Sequence, residues 1–263
     1  MPLVPIADNH LNVEVTGNGP PLLFVHGFPL DGSMWRSQAE AFSATHTVIV
    51  PDLRGFGRSD VTTGTVTMAR FADDLAEMLD ELGVTEPVCL CGLSMGGYVA
   101  FEFERRHRTR LSALVLCDTR AIADSPEAKT NRFATAERVL LDGPDFLAEA
   151  MIDRLYSEAT RRHHPELVAE TQAVIRKAPR GGVAAASRGM AERREAASWL
   201  GEIEVPAMVV VGEHDVISPP EEMEEFSRKI PHVRFVCLSD AGHMSPEEQP
   251  RTFNAALRDF LSQ

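Results

Sequence analysis

The chain has 263 residues, of which 44% are hydrophobic, and its formal net charge is −13. This acidic balance argues against a nucleic-acid partner, and no apolar run reaches the ~20 residues of a membrane-spanning helix. The first residues, "MPLVPIADNHLNVEV", lack the basic and apolar segments of a signal peptide, so a cytoplasmic protein is predicted.

Short apolar strands alternate with amphipathic helices along most of the chain. The first half contains a strand in "PPLLFVHGF", a strand with a Gly-rich loop in "HTVIVPDLRGFGRSD", the helix "TMARFADDLAEMLDELG", a strand and helix in "EPVCLCGLSMGGYVAFEFERRH", and the strand "LSALVLCD". The end contains the strand "PAMVVVGEHD", the helix "PPEEMEEFSRKI", the strand "VRFVCLSDAGH" and a closing helix up to Gln263. This alternation predicts an α/β fold with a mostly parallel, doubly wound sheet.

Residues 120–199 interrupt the alternation, because they are helical in pattern and contain no strand signal. We predict that they form a helical cap inserted into a single domain spanning residues 1–263. From residue 119 to residue 199 the chain has 13 basic and 12 acidic residues, so the remainder carries a charge of −14. The cap is therefore either an Arg-rich helical surface or a segment that faces an anionic substrate.

A serine lies between glycines where one strand meets one helix. Gly92, Ser94 and Gly96 form a G-x-S-x-G pattern directly after "VCLC" and directly before "YVAFEF". A tight turn at such a junction lifts the serine hydroxyl clear of the sheet at the start of a helix. This setting favours Ser94 as a nucleophile over a purely structural turn.

A serine nucleophile requires a base, which is normally a histidine oriented by a carboxylate. Active residues of parallel sheets lie on loops at the carboxyl ends of strands. His243, in "LSDAGHMSP", follows the last strand and is the predicted base. His26, in "HGFP", is predicted to brace a turn, and His214 is predicted to be a surface loop residue.

Two acidic residues at strand ends are candidates for the carboxylate that orients the histidine. Asp215, in "VVVGEHDVISPP", precedes His243 in the order Ser, Asp, His, and it is the preferred acid. Asp118, in "LVLCDTR", follows the strand after the Ser94 helix and stays open as the alternative. Asp52, with Arg54 and Arg58 nearby, is assigned a loop-stabilising role.

Catalysis by a serine also requires hydrogen-bond donors for the oxyanion. The strand in "LLFVHGF" ends at Gly27, so the backbone N–H of Phe28 and that of Met95, the residue after Ser94, can point at one spot. These two groups are the predicted oxyanion hole. Pro29 has no N–H and cannot donate.

The segments "HGFPLDGSMW", "DLRGFGRSD", "GLSMGGYVA", "GEHD" and "AGH" together resemble the α/β-hydrolase fold superfamily. The groups that the chain resembles are serine esterases related to cofactor-free haloperoxidases and 3-oxoadipate enol-lactonases. The resemblance implies a triad of Ser94, Asp215 and His243, an oxyanion hole of Phe28 and Met95, and a cap that lines the acyl pocket. It implies hydrolysis of a carboxylic ester or lactone through an acyl-enzyme, without a metal or organic cofactor.

Three other functions stay open at this stage. A perhydrolase would use peroxide as the acyl acceptor, and among similar proteins a proline beside the oxyanion residue, here Pro29, accompanies that activity. A carbon–carbon bond hydrolase and a hydrolase-fold ligand receptor would use the same scaffold. Arg188, in "GGVAAASRGM", is a candidate for binding an anionic acyl group. The predicted partner is a small-molecule ester or lactone, with no nucleic acid and no membrane, and a homo-oligomer stays open.

The four cysteines show no spacing typical of a zinc or redox site. Cys89, Cys91, Cys117 and Cys237 all fall in apolar, strand-like runs. We therefore predict four buried, reduced thiols, as in a cytosolic protein.

Overall fold

The computed structural model describes residues 3–262. Its strands are β1 (Val4–Ile6), β2 (Asn9–Leu11), β3 (Val13–Thr16), β4 (Pro21–Val25), β5 (Thr47–Pro51), β6 (Val88–Leu93), β7 (Leu111–Cys117), β8 (Ala207–Gly212) and β9 (Val233–Leu238). Its helices are α1 (Arg36–Phe42), α2 (Met68–Glu81), α3 (Met95–His107), α4 (Pro126–Asp142), α5 (Asp145–Leu155), α6 (Glu158–His163), α7 (Pro165–Lys177), α8 (Arg180–Ala191), α9 (Pro220–Ser227), α10 (Ser245–Glu248) and α11 (Pro250–Leu261).

A seven-stranded sheet forms the centre of the molecule. Its strand order is β3-β5-β4-β6-β7-β8-β9, and β3 alone pairs antiparallel with its neighbour. Strands β1 and β2 form a separate antiparallel pair. Every residue of β4, β6 and β8 is buried, which explains why these segments are apolar on both faces. The predicted α/β class and mostly parallel sheet are confirmed.

The strand order reverses direction at β4. The chain proceeds outward to β5 on one side of β4 and then returns to β6 on the other side. Such a switch point leaves a crevice beyond the carboxyl ends of the two strands that flank it. Because Val25 pairs with Gly92, the loop that begins at Phe28 and the turn at Ser94 leave the sheet side by side.

Helix α2 forms for reasons visible in the sequence. Thr67 caps its first turn by accepting a hydrogen bond from the Arg70 N–H at 3.1 Å. Phe71, Leu75 and Met78 lie on its buried face. Gly83, with a φ of 69°, follows the helix and allows the chain to turn away. The predicted helix over residues 67–83 is confirmed.

Helices occupy the segment for which a cap was predicted. Between β7 and β8 the chain forms α4 to α8 and a short 3-10 turn at Leu200–Glu202. Helix α4 packs against α8, and α5 packs against α7. Below, residues 126–191 are called the cap.

Three of the four cysteines agree with the prediction and one does not. Cys89, Cys91 and Cys117 are buried free thiols, whereas Cys237 is exposed. The reason is that Cys237 lies on β9, which is the edge strand of the sheet and is only partly covered. The prediction that all four thiols are buried was therefore wrong for Cys237. None of the helices within residues 3–262 has both the length and the apolar character needed to cross a membrane.

Candidate active site

Ser94 occupies a strained turn between β6 and α3. Its φ of 54° and ψ of −110° lie in a region that residues other than glycine rarely adopt. The surrounding structure holds it there, because the Ser94 N–H donates to the Cys117 carbonyl at 2.9 Å and the Ser94 carbonyl accepts from the Thr119 hydroxyl at 2.8 Å. The serine side chain is only partly buried, so its hydroxyl is accessible.

The glycines around Ser94 permit close backbone contacts. A Cβ on Gly96 would lie 2.3 Å from the Val25 carbonyl oxygen, at the end of β4. A Cβ on Gly92 would lie 2.3 Å from the Gly96 carbonyl oxygen. The start of α3 can therefore approach β4 and β6 only because both positions lack a side chain.

His243 and Asp215 form a buried pair on neighbouring loops after β8 and β9. The His243 Nδ1 lies 2.8 Å from the Asp215 Oδ2, and both side chains are almost fully buried. The other carboxylate oxygen accepts backbone N–H bonds from Ile217 at 2.7 Å and Ser218 at 3.0 Å. With Nδ1 turned toward the carboxylate, Nε2 of His243 is left to accept a proton from a hydroxyl.

Asp118 lies close to this pair but has different partners. Polar atoms of Asp118, Asp215 and His243 all lie within 4.8 Å of one another. One Asp118 oxygen accepts the Gly212 N–H at 2.9 Å, and the other contacts the Ser245 hydroxyl. Burial and the neighbouring Asp215 carboxylate raise the pKa of Asp118 well above its usual range. Asp215, and not Asp118, is the acid that contacts the histidine.

The remaining strand-end residues have the structural roles that the sequence predicted. His26 is fully buried, with Nε2 accepting the Leu53 N–H at 3.0 Å and Nδ1 2.9 Å from the Gly27 carbonyl. Burial lowers the pKa of this imidazole. His214 is exposed. The Asp52 carboxylate accepts hydrogen bonds from the backbone N–H groups of Gly32 and Arg58 and from the side-chain amide of Asn12.

Ser94 and His243 line one cavity of about 420 Å³ between the sheet and the cap. Phe28, Tyr98, Leu155 and other largely apolar residues form one part of its wall. Polar and charged residues from the cap and from the segment before it form the other part. The polar and charged wall consists of Arg120, Asp124, Asn131, Arg132, Thr135, Arg154 and Ser187. A cavity of this size admits a small organic molecule.

Two backbone N–H groups, those of Phe28 and Met95, have no protein acceptor among residues 3–262. Phe28 lines the cavity, and Met95 is the first residue of α3. Unused N–H groups beside a nucleophile are the donors that an oxyanion requires.

Pro29 and Arg188 lie outside this cavity. Pro29 is buried and lines a different cavity, together with Asp31 and Asp52. The guanidinium of Arg188 donates to the Glu137 carboxylate at 2.6 Å and to the Gly64 carbonyl at 3.0 Å. The structure therefore does not support Arg188 as an acyl-group ligand, because its donors are engaged on the outside of α8. A direct contact of the Pro29 ring with substrate is likewise unsupported, and the perhydrolase hypothesis stays an untested prediction.

Sequence reasoning missed the groups that position the acid and the polar wall of the cap. Ile217 and Ser218 follow Asp215 by two and three residues, which is the spacing of an Asx turn and was readable from "DVIS". Asn131, Arg132 and Arg154 had no such local signal, because the packing of distant helices brings them to the cavity.

Comparisons with known proteins find hydrolases that share this fold. A thermophilic esterase from Thermogutta terrifontis, solved with malate bound, is 51% identical, with a TM-score of 0.96 over 99% of this chain and 97% of that one. The enol-lactonase from Burkholderia xenovorans LB400 is 28% identical, with a TM-score of 0.92 over all of both chains. The 3-oxoadipate enol-lactonase 1 of Acinetobacter baylyi is 27% identical over 95% of this chain and 92% of its own length.

The model of the alpha/beta hydrolase fold family matches residues 20–250. That range includes the Ser94 turn, the Asp215–His243 pair and the whole cap. The resemblance inferred from the sequence is confirmed, and the chain belongs to the α/β-hydrolase fold family.

Proposed function

We propose that this protein is a serine hydrolase that cleaves a carboxylic ester or a lactone. One observation carries the proposal: Ser94, on its strained turn, and His243, paired with buried Asp215 at 2.8 Å, line the same cavity of about 420 Å³. A nucleophile, a base and an orienting acid on three separate loops are the components of acyl transfer.

The reaction has two steps. The Ser94 oxygen attacks the ester carbonyl while Nε2 of His243 takes the hydroxyl proton, and Asp215 stabilises the charged imidazole. The carbonyl oxygen becomes an oxyanion that accepts from the Phe28 and Met95 N–H groups. The tetrahedral intermediate collapses, the bond to the alcohol breaks, and His243 returns the proton to the leaving oxygen.

Water completes the cycle. His243 removes a proton from a water molecule, whose oxygen attacks the acyl-enzyme carbonyl. The second tetrahedral intermediate collapses, the bond to the Ser94 oxygen breaks and releases the acid, and His243 returns the proton to the Ser94 oxygen. In a lactone, the leaving alcohol stays attached to the acyl group, so a single hydroxy acid is released.

The names of the similar proteins support this reaction class. Two solved structures that cover almost the whole chain are an esterase and an enol-lactonase. Both reactions attack a carbonyl carbon bonded to an oxygen leaving group. The malate in the 51% identical esterase supports a site that admits a small carboxylate-bearing molecule.

The test is a substrate panel of 4-nitrophenyl acetate, 4-nitrophenyl butyrate and dihydrocoumarin. We expect hydrolysis by the natural chain, and a loss of about four orders of magnitude or more in kcat for Ser94→Ala. The control is Ser33→Ala, which removes an exposed hydroxyl that contacts Asp31 and should leave the rates unchanged. Equal activity in Ser94→Ala and the natural chain would contradict the proposal.

A further inference from the structure

Most charged residues in the wall of the catalytic cavity take part in ion pairs. The four charged residues there are Arg120, Asp124, Arg132 and Arg154. Arg120 donates twice to Glu222, at 2.8 and 2.6 Å. Arg132 donates to Asp124 at 2.7 Å, and the same carboxylate pairs with Arg193 on its other oxygen. Arg132 and Arg193 therefore share a single carboxylate, and Arg154 is the remaining arginine of the wall.

Arg154 has no acidic partner among the residues that the structure describes. The two acids nearest to it on its own helix, α5, have other partners: Glu149 pairs with Arg176, and Asp153 pairs with Arg161. Arg154 is an exposed residue that also lines the cavity, so its charge is solvated. A carboxylate of a bound substrate could therefore pair with Arg154 without displacing another acid.

The backbone at Arg154 lies close to the loop that carries the catalytic base. It lies in the last turn of α5, and the next residue, Leu155, also lines the cavity. The Leu155 carbonyl accepts the N–H of Met244 at 3.0 Å, and Met244 directly follows His243. The backbone hydrogen bond from Met244 to Leu155 therefore connects the end of α5, next to Arg154, with the loop that carries His243.

We propose that Arg154 binds a carboxylate of the substrate, so that the site prefers an ester or lactone that also carries a carboxylate over a neutral one. A planar guanidinium matches a carboxylate with two parallel hydrogen bonds. The inference rests on the proposed function, because a substrate preference needs a reaction to report it. It assigns to Arg154 the role that the sequence suggested for Arg188.

A purely structural role for Arg154 makes a different prediction. A cation in the last turn of a helix interacts favourably with the helix dipole. In that case, the loss of Arg154 would lower stability and affect charged and neutral substrates equally. The test therefore compares two substrates of equal chain length within each variant.

The substrates are mono-4-nitrophenyl succinate and 4-nitrophenyl butyrate, which differ at the chain end by a carboxylate and a methyl group. We expect Arg154→Gln to lower the ratio of their kcat/KM values about tenfold, through a higher KM for the succinate ester. Arg188→Gln, an arginine on the same cap that does not line the cavity, should leave the ratio within about twofold. Salt at 1 M should lower the ratio for the natural chain.

An unchanged ratio in folded Arg154→Gln would overturn the inference, as would a fall of the ratio in Arg188→Gln instead. If Arg154→Gln does not fold, Arg154→Met, which removes the charge and keeps an unbranched side chain, replaces it, and an unchanged ratio in that variant overturns the inference equally. Hydrolysis of both esters with no change of ratio rejects the inference alone. Failure of the natural chain to hydrolyse either ester rejects the proposed function together with it.

Discussion

At the scale of single residues, two buried carboxyl groups lie beside one imidazole and have different environments. Asp215 accepts two backbone N–H groups and contacts His243. Asp118 is fully buried, and burial together with the Asp215 carboxylate raises its pKa, which favours its neutral form. A neutral acid cannot stabilise an imidazolium as a carboxylate does.

This difference predicts opposite outcomes for two matched substitutions. Asp215→Asn should lower kcat by about three to four orders of magnitude, because the neutral amide cannot stabilise the charged imidazole. Asp118→Asn should cost less than about tenfold, since an amide resembles a neutral carboxyl and can still accept the Gly212 N–H. Steady-state ester hydrolysis at pH 8 measures both. A reversal of the two effects would transfer the acid role to Asp118.

The residues of the proposed triad were predictable from local sequence. Each of Ser94, Asp215 and His243 follows a strand of the parallel sheet, and the carboxyl ends of parallel strands meet at one edge. Arg154 was not predictable in this way. Its place in the cavity depends on how α5 packs over the sheet, and its lack of an acidic partner depends on ion pairs that Glu149 and Asp153 form elsewhere.

At the scale of elements, α2 carries an acid on its buried face. Asp74 is fully buried, and its carboxylate accepts from Nε and Nη2 of Arg54, both at 2.7 Å. Arg54 is also almost fully buried and reaches Asp8 as well. The Gly-rich loop after β5 is thereby fixed to α2. The sequence placed Arg54 near Asp52 instead, because neighbours along the chain are visible and a partner 20 residues away is not.

Removal of one member of this pair should destabilise the protein strongly. We expect Asp74→Ala to lower the free energy of unfolding by about 3–5 kcal/mol, because it leaves the buried guanidinium of Arg54 without its main partner. Asp80→Ala, on the same helix, removes an exposed partner of Arg110 and should cost less than about 1 kcal/mol. Urea unfolding of both variants measures the difference. Similar losses in the two variants would contradict the account of the buried pair.

At the scale of the whole molecule, the cap is attached to the core beside the catalytic base. The Tyr156 hydroxyl, just after α5, donates to the Glu247 carboxylate on α10 at 2.6 Å. The Ser157 hydroxyl donates to the Asp240 carbonyl, and the Ser157 N–H donates to Glu248. These contacts connect the cap to the loop and helix on either side of His243. Helical content in the cap was predictable from composition, whereas this attachment depends on residues more than 80 positions apart.

Because Glu247 takes part in this attachment, we expect the free energy of unfolding to depend on pH. Burial raises the pKa of Glu247 from 4.5 to about 7. The folded state therefore binds more protons than the unfolded state between about pH 4.5 and 7, and the free energy of unfolding falls as pH rises through that range. Glu247→Gln cannot ionise and keeps an acceptor for Tyr156, so it should be about 1–3 kcal/mol more stable than the natural chain at pH 8.

Urea unfolding at pH 5 and pH 8 tests this prediction. The two proteins should be close in stability at pH 5 and differ at pH 8. Glu221→Gln, at an exposed position of α9, is the control and should retain the pH dependence of the natural chain. An equal fall in stability from pH 5 to pH 8 in Glu247→Gln and the natural chain would rule out Glu247 as the titrating group.

The central claim is that Ser94 is a nucleophile activated by the His243–Asp215 pair, and covalent labelling tests it most directly. The natural chain would be treated with a fluorophosphonate probe, digested, and analysed by peptide mass spectrometry. We predict one adduct, on the Ser94 side chain, and no labelling of Ser94→Ala with unchanged circular dichroism. An adduct on another residue, or undiminished labelling of Ser94→Ala, would contradict the claim.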